Sequence, residues 1–288
     1  MNEKTSRSRV KTVAIGLMMC VGGFMLGYGV PALVFTAILE APAPTRTPAA
    51  PRFTDRVQQS LKGVVHVQCP NWQGSGFVVG PRLIVTARHC VEGVTSFLIT
   101  TNDGHQVRAT RAISDKAHDV AFVWIDDLTC VAEERGTLAH EVVLHPLPMG
   151  NIADCVLGQS VYVIGSPYGK INFNALSVGV ISGVNRDWSE CGDSYGWKVA
   201  FTVDSAGHPG NSGCPVFTTD GVVRGILVGG FSPVLISVMP CDLFVEDTNM
   251  IAGMFALDRY KHEKATEPEV WSYGYVIESE DLGRVGHD

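Results

Sequence analysis

From residue 53 onward the apolar residues fall into short runs broken by Gly, Pro, Asn and Asp. Runs of this kind at 63–68 (GVVHVQ), 76–79 (GFVV), 83–86 (LIVT), 120–125 (VAFVWI), 160–164 (SVYVI), 178–182 (VGVIS), 199–203 (VAFTV), 215–217 (PVF) and 222–228 (VVRGILV) are rich in β-branched residues. Such recurrence predicts an all-β body, a sandwich or barrels. One late segment has a different period. Over 249–264, Met250, Ile251, Met254, Phe255 and Leu257 make an apolar stripe, with Asp247 or Thr248 as its cap, and this predicts a helix.

The start of the chain follows neither pattern. Residues 12–39 contain no charged side chain, between Lys11 and Glu40. A bilayer core needs about 20 apolar residues, and a cleavable signal peptide has an apolar region of only about 7–15. The length predicts a retained transmembrane signal-anchor, best placed from Val13 to Leu33, with Pro31 kinking it. Lys4, Arg7, Arg9 and Lys11 form a basic segment over 1–11, so the amino terminus is expected in the cytoplasm and the body outside it. Cys20 lacks the small residue before it that a lipoprotein cleavage box wants, and Gly23 and Gly27 read as ordinary membrane-helix glycines. Residues 40–52, rich in Pro and Ala, form a semi-rigid linker.

Charge narrows the partners. The 288 residues carry −7 overall, but residues 1–52 sum to +4, which leaves a distinctly acidic body. With no basic stripe to neutralise phosphates, nucleic acid is excluded as a partner.

Three segments carry chemistry. Ser212 lies in HPGNSGCP (208–215), where Gly210 lets the backbone turn so that the N–H groups of Gly210 and Ser212 can face one cavity as an oxyanion hole. His89 follows the run LIVTAR, at the end of a strand, a rigid place for a base. Asp119 leads straight into VAFVWI, and a carboxylate that close to a buried strand needs a partner such as a histidine N–H. Taken singly, each has an ordinary structural reading: a tight turn, a lone histidine, a strand cap. Together, the order His89, Asp119, Ser212 is that of a base, an orienting acid and a nucleophile.

Five segments, GSGFVV (74–79), LIVTARHCV (83–91), HDVAFVWID (118–126), LGQSVYVIGSPYG (157–169) and PGNSGCPVF (209–217), give the body a resemblance to trypsin-like serine proteases, nearest in wording to the HtrA-type branch. The resemblance implies two six-stranded antiparallel β-barrels of the chymotrypsin-like kind, over 53–147 and 148–246, with the active site in their cleft and a C-terminal helix and acidic tail over 247–288. It implies peptide-bond hydrolysis through an acyl-enzyme on Ser212, with polypeptides as substrates and no cofactor. By the same resemblance Ala206, Val228 and Gly230 would line the primary specificity pocket. With no acidic base there, the expected preference is for small-to-medium apolar residues. Cys69 and Cys90 are the implied disulfide pair.

Three departures qualify the resemblance. Cys214 stands where the family has Gly, implying a shifted backbone or a further disulfide. Arg88 sets a cation before the base. About 40 residues after the second barrel show no PDZ pattern, so trimer formation and PDZ-based substrate capture do not carry over. Seven cysteines follow Cys20, none in a C-x-x-C pair, so no metal site is expected. In the tail, Glu269–Ile277 could add a strand, drape over a barrel or act as a strap. Two other readings stay open: a catalytically silent protease-fold module that binds peptides or partners, and, more remotely, an esterase, which lacks the G-x-S-x-G elbow.

Overall fold

A computed structural model of the protein describes residues 50–70, 72–115, 117–131, 140–187, 200–264 and 275–278. The expected anchor at 12–39 and most of the linker lie outside them, as does Cys191. Among the described residues no helix is long and apolar enough to cross a membrane.

The body opens with a helix that the strand pattern had hidden, α1 (Phe53–Leu61). Its apolar residues recur four apart. Phe53 meets Tyr162 edge-on with ring centroids 5.3 Å apart, and Val57 and Leu61 pack on the core. Ser60 Oγ and the Tyr162 hydroxyl are hydrogen-bonded at 2.8 Å.

Seven strands follow: β1 (Val64–Gln68), β2 (Gln73–Gly80), β3 (Leu83–Ala87), β4 (Phe97–Thr101), β5 (Gln106–Ala109), β6 (Arg111–Asp115) and β7 (Val120–Trp124). Six more come after the connecting segment: β8 (Ser160–Gly165), β9 (Ala175–Arg186), β10 (Ala200–Asp204), β11 (Pro215–Thr218), β12 (Val223–Ser232) and β13 (Leu235–Pro240). A second helix, α2 (Val245–Lys264), and a short strand, β14 (Tyr275–Glu278), complete the described chain.

The second group closes as expected into a six-stranded barrel, in the order β10-β13-β12-β11-β8-β9. The first group does not close. It forms an open eight-stranded sheet, β14-β6-β7-β3-β2-β1-β4-β5, which corrects the expectation of two barrels. The physical reason lies at β6. One edge bonds to β7 and the other takes β14 in parallel, Tyr275 opposite Arg111 through Glu278 opposite Ser114, so β6 has no edge left to meet a closing strand. Of the three roles open to the tail, the added strand is the one the fold uses at 275–278.

The sheet is buried on both faces, which explains why β7, and β3 apart from Thr86, are apolar rather than alternating. One face holds Val65, Val67, Ile84, Ile99, Val107 and Val123. The opposite face contributes Phe77, Val85 and Phe122 to a core shared with Tyr162, Phe217 and Ile226 of the barrel. The barrel interior is a third cluster, including Val163, Phe201 and Val238.

Helix α2 starts before the expected Asn249. Thr248 sits inside its first turn, where Oγ1 donates back to Val245 O at 2.7 Å rather than capping. Of the expected stripe only Ile251 and Phe255 are buried, Phe255 stacked on Trp124 with centroids 5.3 Å apart; Met250, Met254 and Leu257 face outward.

Candidate active site

His89 lies in the single 3-10 turn that ends β3, and Asp119 in the turn that begins β7. Because β3 and β7 pair antiparallel, with Ala87 opposite Val120, the end of one is the start of the other and the two residues meet. His89 Nδ1 donates to Asp119 Oδ2 at 2.7 Å, its backbone N–H donates to Asp119 Oδ1 at 3.0 Å, and the Arg88 N–H donates to Asp119 O at 2.8 Å. Asp119 adopts φ +55°, a left-handed conformation that Asp tolerates better than most residues, and this turns its carboxylate back onto the histidine. It is 8% exposed. Burial works against the charged imidazole of His89, while the Asp119 hydrogen bond and the Cys90 sulfur favour it; the pair holds the histidine above its ordinary 6.5. Arg88, expected to tune the base, is bound instead by Glu92 at 2.6 Å.

Sequence reasoning missed Trp72. Its indole stacks on the His89 ring, centroids 5.6 Å apart and planes 27° apart, covering one face of the imidazole. An aromatic directly before a strand carries no motif, and only the fold makes it a neighbour.

Ser212 sits in the loop before β11, half-buried. The loop turns at 208–211, where the Asn211 N–H donates to His208 O at 2.9 Å and Gly210 takes φ +99°. A side chain at Gly210 would meet Ser166 O at 2.4 Å, so both the dihedral and the space demand glycine. The same holds at Gly213, φ +84°, where a Cβ would lie 2.2 Å from Ser75 O. Among the described residues neither the Gly210 nor the Ser212 N–H donates to a backbone carbonyl.

The Ser212 loop is pinned by Ser75 of β2, fully buried and also unassigned from sequence. Ser75 Oγ donates to Gly210 O at 2.7 Å and accepts from the Ser166 N–H at 2.9 Å, while the Ser75 N–H donates to Ser212 O at 2.8 Å. One residue thus ties the sheet, the Ser212 loop and the end of β8 together. The signal was the Ser of GSGFVV, a segment that served in the sequence only to carry the resemblance, with no role given to Ser75.

A cavity of about 330 Å³ opens beside Ser212, lined by Gly207, Leu227, Gly229, Gly230 and Ile236 among others. Of the three expected pocket residues only Gly230 lines it. Val228 points into the core shared with the sheet, and Ala206 is not part of the wall. A register shift between Leu227 and Gly229 decides which residues of β12 face the cavity. At the rim Tyr168, in a left-handed conformation, stacks on His208 with centroids 5.4 Å apart.

The implied disulfide is not formed. All six described cysteines are free thiols, and Cys69 Sγ is turned to donate to Cys90 O at 3.1 Å rather than toward the other sulfur. Cys90 Sγ instead lies against the Ser212 backbone, 3.7 Å from Ser212 O. Cys214 forms no bridge. It is fully buried, its N–H donates to Asn211 O and its carbonyl accepts from Leu227 N, as the first rung of β11 against β12. Metal-ligating residue types do gather elsewhere: His105, Cys130 and His140 present ligand atoms within 4.8 Å of one another.

Comparison with known proteins gives the family. The chain is 32% identical over 189 residues to "Protease Do-like 1, chloroplastic" of Arabidopsis thaliana, covering 65% of this chain and 40% of that protein. It is 34% identical over 177 residues to "Probable periplasmic serine endoprotease DegP-like" of Halomonas elongata, covering 61% of this chain and 33% of the relative. The chain therefore spans well under half the length of these relatives. Among solved structures, "HtrA-type protease AlgW with tripeptide" shares the fold at a TM-score of 0.57 with 21% identity, over 68% of this chain and 62% of that one. The trypsin-like peptidase domain family matches residues 74–226, more than half of the sequence, and the chain belongs to that family.

Proposed function

We propose that the protein is a serine endopeptidase in which His89 is the general base, Asp119 its orienting partner and Ser212 the nucleophile. The observation that carries this reading is the double grip of Asp119 on His89, ring and backbone together, beside a loop that leaves the Gly210 and Ser212 N–H groups undonated. In the reaction Ser212 Oγ attacks the scissile carbonyl while His89 Nε2 takes its proton. The two N–H groups receive the developing oxyanion, and His89 then protonates the leaving amine. Water deacylates the enzyme by the same route in reverse. Asp119 fixes the tautomer that leaves Nε2 free to accept and stabilises the imidazolium that forms.

The cavity lining, which includes Leu227, Ile236 and three glycines with His208 and Ser232, holds no Asp, Glu, Lys or Arg, which supports a preference for small-to-medium apolar residues before the cut. A membrane anchor over 12–39, with the body outside the cytoplasm, accompanies this reading. It rests on the uncharged run and its basic flank, and is in keeping with relatives whose names call them periplasmic or chloroplastic.

The test is cleavage of a peptide library by the full chain and by Ser212→Ala. Cuts after Ala, Val or Leu that vanish in the variant are expected. A folded wild-type protein that binds peptides without cutting them would favour the silent binding module, and cuts after Lys or Arg would overturn the pocket assignment.

A further inference from the structure

We infer that His105, Cys130 and His140 form a binding site for a zinc ion, at a place separate from Ser212. The three ligand atoms lie within 4.8 Å of one another, and each residue is half-buried. One thiolate and two imidazoles are a donor set suited to Zn2+ and poorly suited to Mg2+ or Ca2+, which take oxygen. A tetrahedral zinc with Zn–N near 2.0–2.1 Å and Zn–S near 2.3 Å sets its ligand atoms about 3.3–3.6 Å apart. Side-chain adjustment of roughly 1 Å therefore closes the site around the ion.

Backbone hydrogen bonds, rather than chance side-chain positions, assemble the cluster. His105 ends the turn between β4 and β5, where its carbonyl accepts from the Thr101 N–H at 2.9 Å. The connecting segment after β7 is drawn alongside β5 by the Val131 N–H, which donates to Gln106 O at 2.7 Å. This sets Cys130 next to His105. The two arms of that segment are joined in turn, the Cys130 N–H donating to His140 O at 2.9 Å, with Thr129 and Glu141 bridged as an antiparallel pair. The His105 and His140 rings end with centroids 4.5 Å apart, one edge-on to the other.

A fourth group completes the picture. Asp103 Oδ2 is 3.6 Å from His105 Nε2, and Asp103 Oδ1 is itself held by Thr101 Oγ1 at 2.5 Å. From there a shift of a few tenths of an ångström would let it receive the N–H of His105 with the ring's other nitrogen on the metal, which fixes the ring's orientation. The zinc then has three protein ligands and a water. Its consequence is structural: it clamps the segment that crosses from the open sheet to the barrel onto the β4–β5 turn. That turn also touches the second half of the body, where Asn174 Nδ2 donates to Asn102 O at 3.3 Å. The absence of a C-x-x-C pair gave no warning, because the ligands come from a hairpin turn and from both arms of a distant loop.

The experiment uses the full chain, stripped with a chelator under a phosphine reductant and titrated with Zn2+ and with Co2+. Expected are uptake of one tight equivalent, a rise in the thermal midpoint with Zn2+, and a thiolate-to-cobalt charge-transfer band with tetrahedral visible bands. Cys130→Ser should abolish the charge-transfer band, and Asp103→Asn should weaken affinity about 10–100-fold. No tight equivalent in the folded wild type would overturn the site, and so would a cobalt spectrum unchanged in Cys130→Ser. Should His105→Ala fail to fold, the single-atom change at Cys130 decides. Metal content and spectra are read without any cleavage assay, so they stand independently of the protease assignment.

Discussion

The two halves of the catalytic body solve the same problem by different means. The open sheet delivers His89 and Asp119 from the adjoining ends of two paired strands and locks them side chain to side chain. The closed barrel delivers Ser212 on a loop whose shape is a matter of backbone: a turn at 208–211, two left-handed glycines, and carbonyls gripped from outside by Ser75. The His89–Asp119 pair is thus fixed by its own chemistry. Ser212 and the N–H groups beside it depend on a residue that belongs to the other half.

This contrast can be broken at its strong end first. Asp119→Asn keeps an amide able to bond the His89 backbone N–H but no longer fixes the reactive tautomer. Turnover on an apolar peptide should fall on the order of 10³–10⁴-fold with unchanged circular dichroism. A loss under about 10-fold would mean the clasp is decoration.

The open sheet has a second, purely structural sensitivity. His66 of β1 is fully buried and edge-on to Phe173, and burial, with Lys170 adding to it, pushes its pKa down to about 4 from 6.5. A depressed folded-state value means the unfolded chain takes up the proton first. Stability is then intact above 6.5 and is lost as the pH falls from 6.5 toward 4, by on the order of 3 kcal/mol. Denaturant midpoints across that window should drop, and His66→Leu should flatten the dependence. An equally steep drop in the variant would place the acid sensitivity elsewhere.

The weaker end of the contrast lies at Ser75. Ser75→Ala removes one hydroxyl that donates to Gly210 O and accepts from the Ser166 N–H. At about 1–2 kcal/mol the oxyanion loop should loosen and kcat fall roughly 5–30-fold, with KM little changed. A change confined to KM would contradict a role in shaping the loop. Smallest of all, Ile236→Phe narrows the pocket wall. It should shift preference from Leu toward Ala before the cut by several-fold in kcat/KM, read from paired peptides.

How much of this was legible in the sequence follows the same divide. The strand runs and the order of His89, Asp119 and Ser212 could be read because buried strands and catalytic loops leave local patterns. Whether a sheet closes depends on an edge partner 150 or more residues away, β14 on β6, and no local pattern carries that. Helix α1 was hidden because its three apolar positions are too few to stand out beside the strand that follows. Val228 was misplaced as a pocket residue by a one-residue register shift in β12, which exchanges the faces of a strand. Cys69 and Cys90 are close, as the resemblance implied, yet sulfur direction is set by the turn at 88–90 and by the carbonyl it bonds. Trp72 stands in no motif, and Ser75, though it stands in GSGFVV, acts through neighbours distant in sequence that the segment does not name.

The most direct test of the account is the rate at which a fluorophosphonate labels the folded full chain as a function of pH, with the adduct located by mass spectrometry. If His89 is the base and the Asp119 carboxylate holds its pKa up, the adduct sits on Ser212 and is absent in Ser212→Ala. The labelling rate then climbs with pH through a midpoint above 6.5 and is strongly slowed in Asp119→Asn. An adduct on another residue, or a Ser212 labelling rate that Asp119→Asn leaves untouched, would contradict it.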